Sequence, residues 1–124
     1  MIYLDTHAVI WLYAGLVDKF NQPIRDLMNE QDIGISPAVR LELQFLYEIQ
    51  RVTDDASTIV ADLADRIGLT IGDKHFNAAI GRALEISWTR DPFDRLIVAS
   101  ASLDDSILVS KDQRILGHYP FARW

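Results

Sequence analysis

Five acids stand where chemistry would need them: Asp5, Glu42, Asp91, Asp94 and Asp112. Asp5 closes the apolar run Ile2-Tyr3-Leu4. Glu42 follows Ser36-Pro37 on an otherwise apolar stretch. Asp91 and Asp94 open the long segment Leu96 to Ala101, and Asp112 follows Leu108-Val109-Ser110-Lys111. Two carboxylates ~4 Å apart repel by about 4 kcal/mol at an effective dielectric near 20. Acids gathered in one groove therefore raise their pKa values or bind a cation. Hard oxygen donors, with no cysteine and no histidine pair at ligand spacing, select Mg²⁺ or Mn²⁺ over zinc. An open, water-bearing site of that kind suits phosphate-ester chemistry.

The elements between these acids decide whether they meet. Ile2–Leu4 reads as a short strand, followed by a helix with Thr6 as N-cap and Gly15 as its stop. Asn21-Gln22-Pro23 opens a second helix, Ile33-Gly34-Ile35 is a second strand, and Ser36-Pro37 starts a third helix. A helix from near Asp55 to Arg66 ends at Gly68, and Leu69-Thr70-Ile71 is a third strand. Helices from Phe76 to Leu84 and from Asp91-Pro92 onward precede a fourth strand over 106–110. The tail from Tyr119 to Trp124 adds an edge strand. Strands separated by helices predict a mainly parallel central sheet in a three-layer α/β/α sandwich, one domain over residues 1–124. Ligands of such sheets bind beyond the carboxyl ends of the strands, the edge to which all five acids can project.

Composition narrows the classes. Hydrophobic residues at 49% and charged residues at 24% exclude wholesale disorder. The absence of cysteine excludes a disulfide scaffold, a thiol nucleophile and a thiolate metal site, and suits a cytoplasmic protein. No apolar run approaches the ~20 residues that span a bilayer, and Asp5 comes too early for a signal peptide, so no membrane role is expected. The net charge is −6, with 14 Asp, 4 Glu, 9 Arg and 3 Lys. Such a chain has no general attraction for nucleic acid, so any contact must be local or metal-assisted.

Each acid also has a plainer role when taken alone. Asp5 and Asp112 suit turns or caps. Asp91 suits an N-cap with Asp94 on the helix dipole, and Glu42 suits a solvated face. His7, His75 and His118 read as structural, and Trp11, Trp88 and Trp124 as core or dimer packing rather than base stacking.

Four stretches in order carry a resemblance: Met1 to His7, Ser36-Pro37 leading to Glu42, Arg90-Asp91-Pro92-Phe93-Asp94-Arg95-Leu96-Ile97-Val98-Ala99, and Leu108 to Asp112. Together they resemble the PIN-domain ribonucleases, specifically the VapC-type toxins of bacterial type II toxin–antitoxin pairs. The likeness runs from Ile2 to Trp124. It implies an endoribonuclease dependent on Mg²⁺ or Mn²⁺, with the acidic positions carried by Asp5, Glu42, Asp94 and Asp112. Asp5 would be the central ligand, Asp91 an additional one, and Thr6 and Ser110 the hydroxyls beside the acids. It implies a homodimer, an RNA substrate and a small antitoxin that covers the toxin with apolar side chains and sets an arginine among the acids. Trp11, Leu12, Phe45 and Leu46 are candidates for that docking surface. Arg40, Arg90, Arg95 and Arg114 flank the acids in sequence and are candidates to grip neighbouring phosphates.

Three alternatives compete. A phospho-accepting receiver domain would need adjacent acids after the first strand. Here Asp5 stands alone, Asp73 would have to be the acceptor, and Lys111 precedes an acid. A haloacid-dehalogenase phosphatase needs an aspartate where His7 stands. A catalytically silent PIN fold used as a binding module makes the acids dispensable.

Overall fold

The computed structural model describes residues 1–124. Five short strands, β1 (Ile2–Leu4), β2 (Ile33–Ile35), β3 (Thr70–Ile71), β4 (Leu108–Val109) and β5 (Ala122–Arg123), form one sheet in the order β3-β2-β1-β4-β5. Every pairing is parallel: Tyr3 stands opposite Gly34 on one side and Leu108 on the other, Gly34 opposite Thr70, and Leu108 opposite Ala122. Strands buried on both faces are apolar without alternation. Accordingly Ile2, Leu4, Ile35, Leu108 and Val109 are fully buried.

The helices are α1 (Thr6–Tyr13), α2 (Gln22–Glu30), α3 (Pro37–Glu48), α4 (Ala56–Ile67), α5 (Phe76–Leu84), α6 (Pro92–Ser102) and α7 (Gln113–His118). Connections β1 to β2 to β3 step one way across the sheet; β3 to β4 to β5 step back the other way. Right-handed crossovers therefore place α1, α2 and α4 on one face and α5–α7 on the other, with α3 packed on both α4 and α6, which makes the three-layer α/β/α sandwich. Phe20, Val39, Leu43, Ile59 and Leu63 complete the core beside the strands. Each such side chain stabilises the fold by roughly 1.5–3 kcal/mol on burial.

Local chemistry sets the boundaries. The Ser36 hydroxyl accepts from the Ala38 amide at 3.2 Å and Pro37 takes the first helical position of α3. Gly68 ends α4 at φ 71°, a left-handed conformation that carries little cost without a Cβ. Gly72 matters for a different reason: a Cβ there would lie 2.8 Å from the Tyr3 hydroxyl.

Three expectations need correction. Asp5, not Thr6, caps α1; its Oδ1 accepts from the Ala8 amide at 2.9 Å, and Thr6 is the first helical residue. The fourth strand is two residues long rather than five, because only Leu108 and Val109 pair with both neighbours. The segment after Asp112, with no helix expected, forms α7. With six residues and Gly117 inside, it lacks the periodicity that marks longer helices.

Candidate active site

Asp5 is the first residue past β1, and Ser110 to Asp112 the first past β4. These strands are neighbours, so both acids emerge side by side at the carboxyl edge of the sheet. Glu42 and Asp94 come from helices. α3 and α6 lie against each other with Ser36 Oγ 3.5 Å from Ser100 Oγ at one end and the Phe45 and Phe93 rings 5.9 Å apart at the other. That antiparallel pairing carries Glu42 toward the first turn of α6, where Asp91 and Asp94 stand. All five acids line one groove of about 510 Å³ with Thr6, His7, Trp11, Lys111 and Gln113.

A helix cap and a place in the groove coincide at three of these positions: Asp5 caps α1 as described above, and Asp91 and Asp112 do the same for later helices. Asp91 Oδ1 accepts from the amides of Phe93 (2.8 Å) and Asp94 (3.0 Å), capping α6. Asp112 Oδ1 accepts from Arg114 (2.8 Å) and Ile115 (3.2 Å), capping α7. Each cap uses one carboxylate oxygen and leaves the other for the groove. Thr6 donates its hydroxyl to Glu42 Oε1. The fully buried Ser110 accepts from the Asp112 amide at 3.1 Å.

Charge is the unsettled quantity here. Burial pushes the Asp5 carboxyl up, although hydrogen bonds from Ser110 and Ala8 oppose it. Glu42 is raised by burial too, against the pull of Thr6 and with a push from Asp91. Asp94 is raised to about 7, first by burial and then by Asp91, Glu42, Asp112 and Asp5. None of these acids belongs to an ion pair; the three in the molecule are Arg25–Asp18, Arg66–Asp62 and Lys74–Asp104.

The donor chemistry fits a hard divalent cation: five carboxylates, with Asp5, Glu42 and Asp94 raised in proton affinity and none in an ion pair within the chain. The oxygens are not drawn into a ready-made cage, since no three Asp, Glu or His side chains stand close enough together to hold an ion.

Residues 2–121 match the family model of the PIN domain. The chain belongs to the PIN domain family. Among curated relatives of this PIN domain, Ribonuclease VapC22 of Mycobacterium tuberculosis is 28% identical over 119 residues, covering 94% of this chain and 91% of the relative. Solved structures share the fold. The crystal structure of VapBC2 from Rickettsia felis bound to a promoter DNA fragment superposes with a TM-score of 0.69 at 19% identity, covering 100% of this chain and 99% of that one. The DNA-bound VapBC of Salmonella typhimurium gives 0.63 at 19% identity, with 99% and 96% covered. A toxin–antitoxin complex from Klebsiella pneumoniae gives 0.64 at 13% identity, with 100% and 97% covered. Membership of this family removes the receiver-domain alternative; Asp73 lines a separate apolar cavity under Tyr3.

The four arginines do not line the PIN domain's acidic groove. Arg40, Arg90 and Arg114 are exposed, while Arg95 is half-buried and donates its Nε to the Thr89 carbonyl at 2.9 Å. The basic side chains lining the groove are Lys111 and His7. In the sequence, the signal for Lys111 is its place just past the end of a strand, beside Asp112. His75 caps α5 by accepting from the Ala78 amide, and His118 stacks on Trp88 at 4.8 Å. Trp11, expected to serve core or dimer packing, packs against the core beside Phe20 and also lines the groove.

Proposed function

We propose that this PIN domain is a VapC-type toxin: an endoribonuclease that hydrolyses RNA phosphodiesters with Mg²⁺ or Mn²⁺ and is silenced by a cognate antitoxin. The observation that carries the reading is the meeting of acids from β1, α3, α6 and β4 in one groove lacking an internal cationic partner. The name of the Mycobacterium relative, a ribonuclease, agrees with it.

Asp5, Glu42, Asp94 and Asp112 would hold the metal, with the free oxygen of Asp91 as a further donor. When bound, a divalent ion of this kind lowers the pKa of its water and offsets charge on a scissile phosphate. The chain's own residues prepare the place. The Ala8 amide fixes Asp5 by one oxygen, Thr6 orients Glu42, and Ser110 holds the turn that presents Asp112. Asp94, raised to about 7 by burial and the neighbouring acids, would be held as a carboxylate by a divalent cation. Because water is the nucleophile, a 2′-deoxy substitution at the cleaved linkage leaves cleavage intact. Arg40, Arg90 and Arg114 remain exposed candidates for phosphates outside the groove.

Partners follow the same reading. The solved neighbours of this fold include toxin–antitoxin complexes. Phe45 is 45% exposed and offers apolar contact, with half-buried Leu46 beside it on α3 and half-buried Leu12 on α1. A guanidinium from an antitoxin would satisfy the acids as a metal does. A homodimer, which Leu41 on α3 and Phe76 and Leu84 on α5 would serve with 64%, 70% and 79% exposure, is tested by light scattering. The compartment is the cytoplasm, where such a toxin meets RNA.

One observation favours the silent binding module instead: the acids do not form a ready-made ligand set. A single experiment separates the two. Wild type and Asp5→Asn are expressed from an inducible promoter, and total RNA is sequenced at new 5′ ends. Growth arrest and discrete new ends with wild type alone support the ribonuclease; equal effects of both chains reject it.

A further inference from the structure

Trp11 is the one large apolar side chain lining the acidic groove. Its indole is braced by other rings: Trp124 at 5.4 Å and 65°, and Phe20 at 6.3 Å and 79°, with Phe20 itself buried and 4.9 Å from Trp124. A half-buried ring held in this way loses little freedom when something flat settles on it. Two ammonium groups stand beside it. Lys19 Nζ lies 5.2 Å and Lys111 Nζ 5.9 Å from the Trp11 ring, and Lys111 also lies 5.8 Å from Trp124. Lys111 lines the same groove as five carboxylates yet pairs with none of them; it rests against aromatic faces instead. Its charge remains available to an anion.

A fixed π surface beside an available cation is complementary to a nucleotide, which offers a flat base and a phosphate a few ångströms away. We propose that Trp11 and Lys111 form a nucleotide subsite at the rim of the acidic groove. A base of the RNA stacks on the indole, and the adjoining phosphate meets the Lys111 ammonium. The assignment rests on the ribonuclease reading and adds the class of substrate. A base inside a duplex has both faces covered by its neighbours, so the strand must be single at this point, in a loop, bulge or end. Stacking accepts any base, so the subsite selects unpaired RNA more than a particular letter. Lys111 also answers how so acidic a groove admits a phosphate before any specific contact forms: it is the one lysine or arginine lining it.

The test uses the Asp5→Asn chain with Mg²⁺, so that RNA stays intact, and hairpin RNAs carrying 2-aminopurine in the loop or in the stem. Loop fluorescence is expected to quench on binding and stem fluorescence to stay constant. Trp11→Leu, which keeps an apolar filler against Trp124, should weaken loop binding about tenfold and abolish the quench, whereas Trp11→Phe should stay within about threefold. Lys111→Met, an exposed change that leaves folding alone, should lower the slope of log affinity against log salt by about one. Equal quenching of loop and stem, or an unchanged salt slope in Lys111→Met, overturns the subsite even if Trp11→Leu fails to fold. Unaltered binding and quenching in a folded Trp11→Leu overturns it too. If wild type cuts RNA while these variants bind like their parent, only the subsite falls. If wild type neither binds nor cuts any RNA, the ribonuclease reading falls with it.

Discussion

Asp94 and Asp104 lie at opposite ends of the segment that begins with α6, and their surroundings treat them in opposite ways. Asp104 has a cation of its own: Lys74 Nζ sits 2.6 Å from its Oδ1, 2.7 Å from the Ser100 carbonyl and 4.3 Å from the Tyr3 ring. Burial works to raise the Asp104 carboxyl, but hydrogen bonds from Lys74 and Ser106 outweigh it and hold it below the usual range. Asp94 is raised to about 7 by burial and by other acids. One carboxylate is complete within the chain; the other needs a charge from outside. An acid of the first kind contributes to stability, and acids of the second kind are the ones that binding and catalytic sites collect.

The contrast breaks most visibly through activity. Asp5→Asn keeps a side chain able to cap α1 but loses the charge. Cleavage of a labelled RNA should fall beyond the roughly 10–100-fold that follows loss of a supporting partner at a metal site. A chain that cuts normally would return Asp5 to the role of a cap. Lys74→Met should act the other way. By removing the charge-assisted bonds to Asp104 and Ser100 it should cost about 2 kcal/mol in urea unfolding, with cleavage per folded molecule unchanged. Loss of activity in a folded Lys74→Met would erase the distinction between the two regions.

Asp91 and Asp112 test it more finely. Replacement by Ser retains a capping oxygen, so melting in chelator should change by less than that of the Ala variants, which lose about 1 kcal/mol. The stabilisation of wild type by added Mn²⁺ should shrink in both Ser variants. Equal Mn²⁺ response would reduce both acids to caps.

The smallest effect is in pH. Asp94 holds its proton more tightly folded, at about 7, than at its ordinary 3.8. Its contribution to stability is therefore complete below about pH 4 and is lost as pH rises through 7. In chelator, Asp94→Asn should escape that loss, and its melting temperature should exceed that of wild type most at pH 8 and least at pH 4. Parallel curves would show that Asp94 is not strained. Added Mn²⁺ at pH 8 should restore wild type toward the variant.

Much of this was legible in the residues because the signals were local. Ser36-Pro37, Asp91-Pro92 and Gly68 mark helix boundaries through atoms close to them in sequence. Asp5 and Asp112 were placed by the rule of strand ends, which needs only the order of elements. Glu42 is different. Its approach to Asp94 depends on how α3 lies along α6, set by Ser36 against Ser100 and Phe45 against Phe93, contacts that no spacing announces. Trp11 looked like core because one helical period cannot separate a ring packed on Trp124 from one that also faces a groove. The Lys74–Asp104 pair joins positions 30 residues apart and left no trace in the pattern.

On the proposed ribonuclease reading, the double duty of Asp91 and Asp112 has a consequence for how such a chain would lose its activity. At these two positions a change that removes the charge also loosens the start of α6 or α7, so an inactive protein would be a scarcer one. At Asp94 the same loss relieves repulsion. If the chain is such a toxin, cells selected to survive its expression should therefore collect two kinds of escape: replacements at position 94 that leave full-length protein at normal abundance, and replacements at 91 or 112 that deplete it.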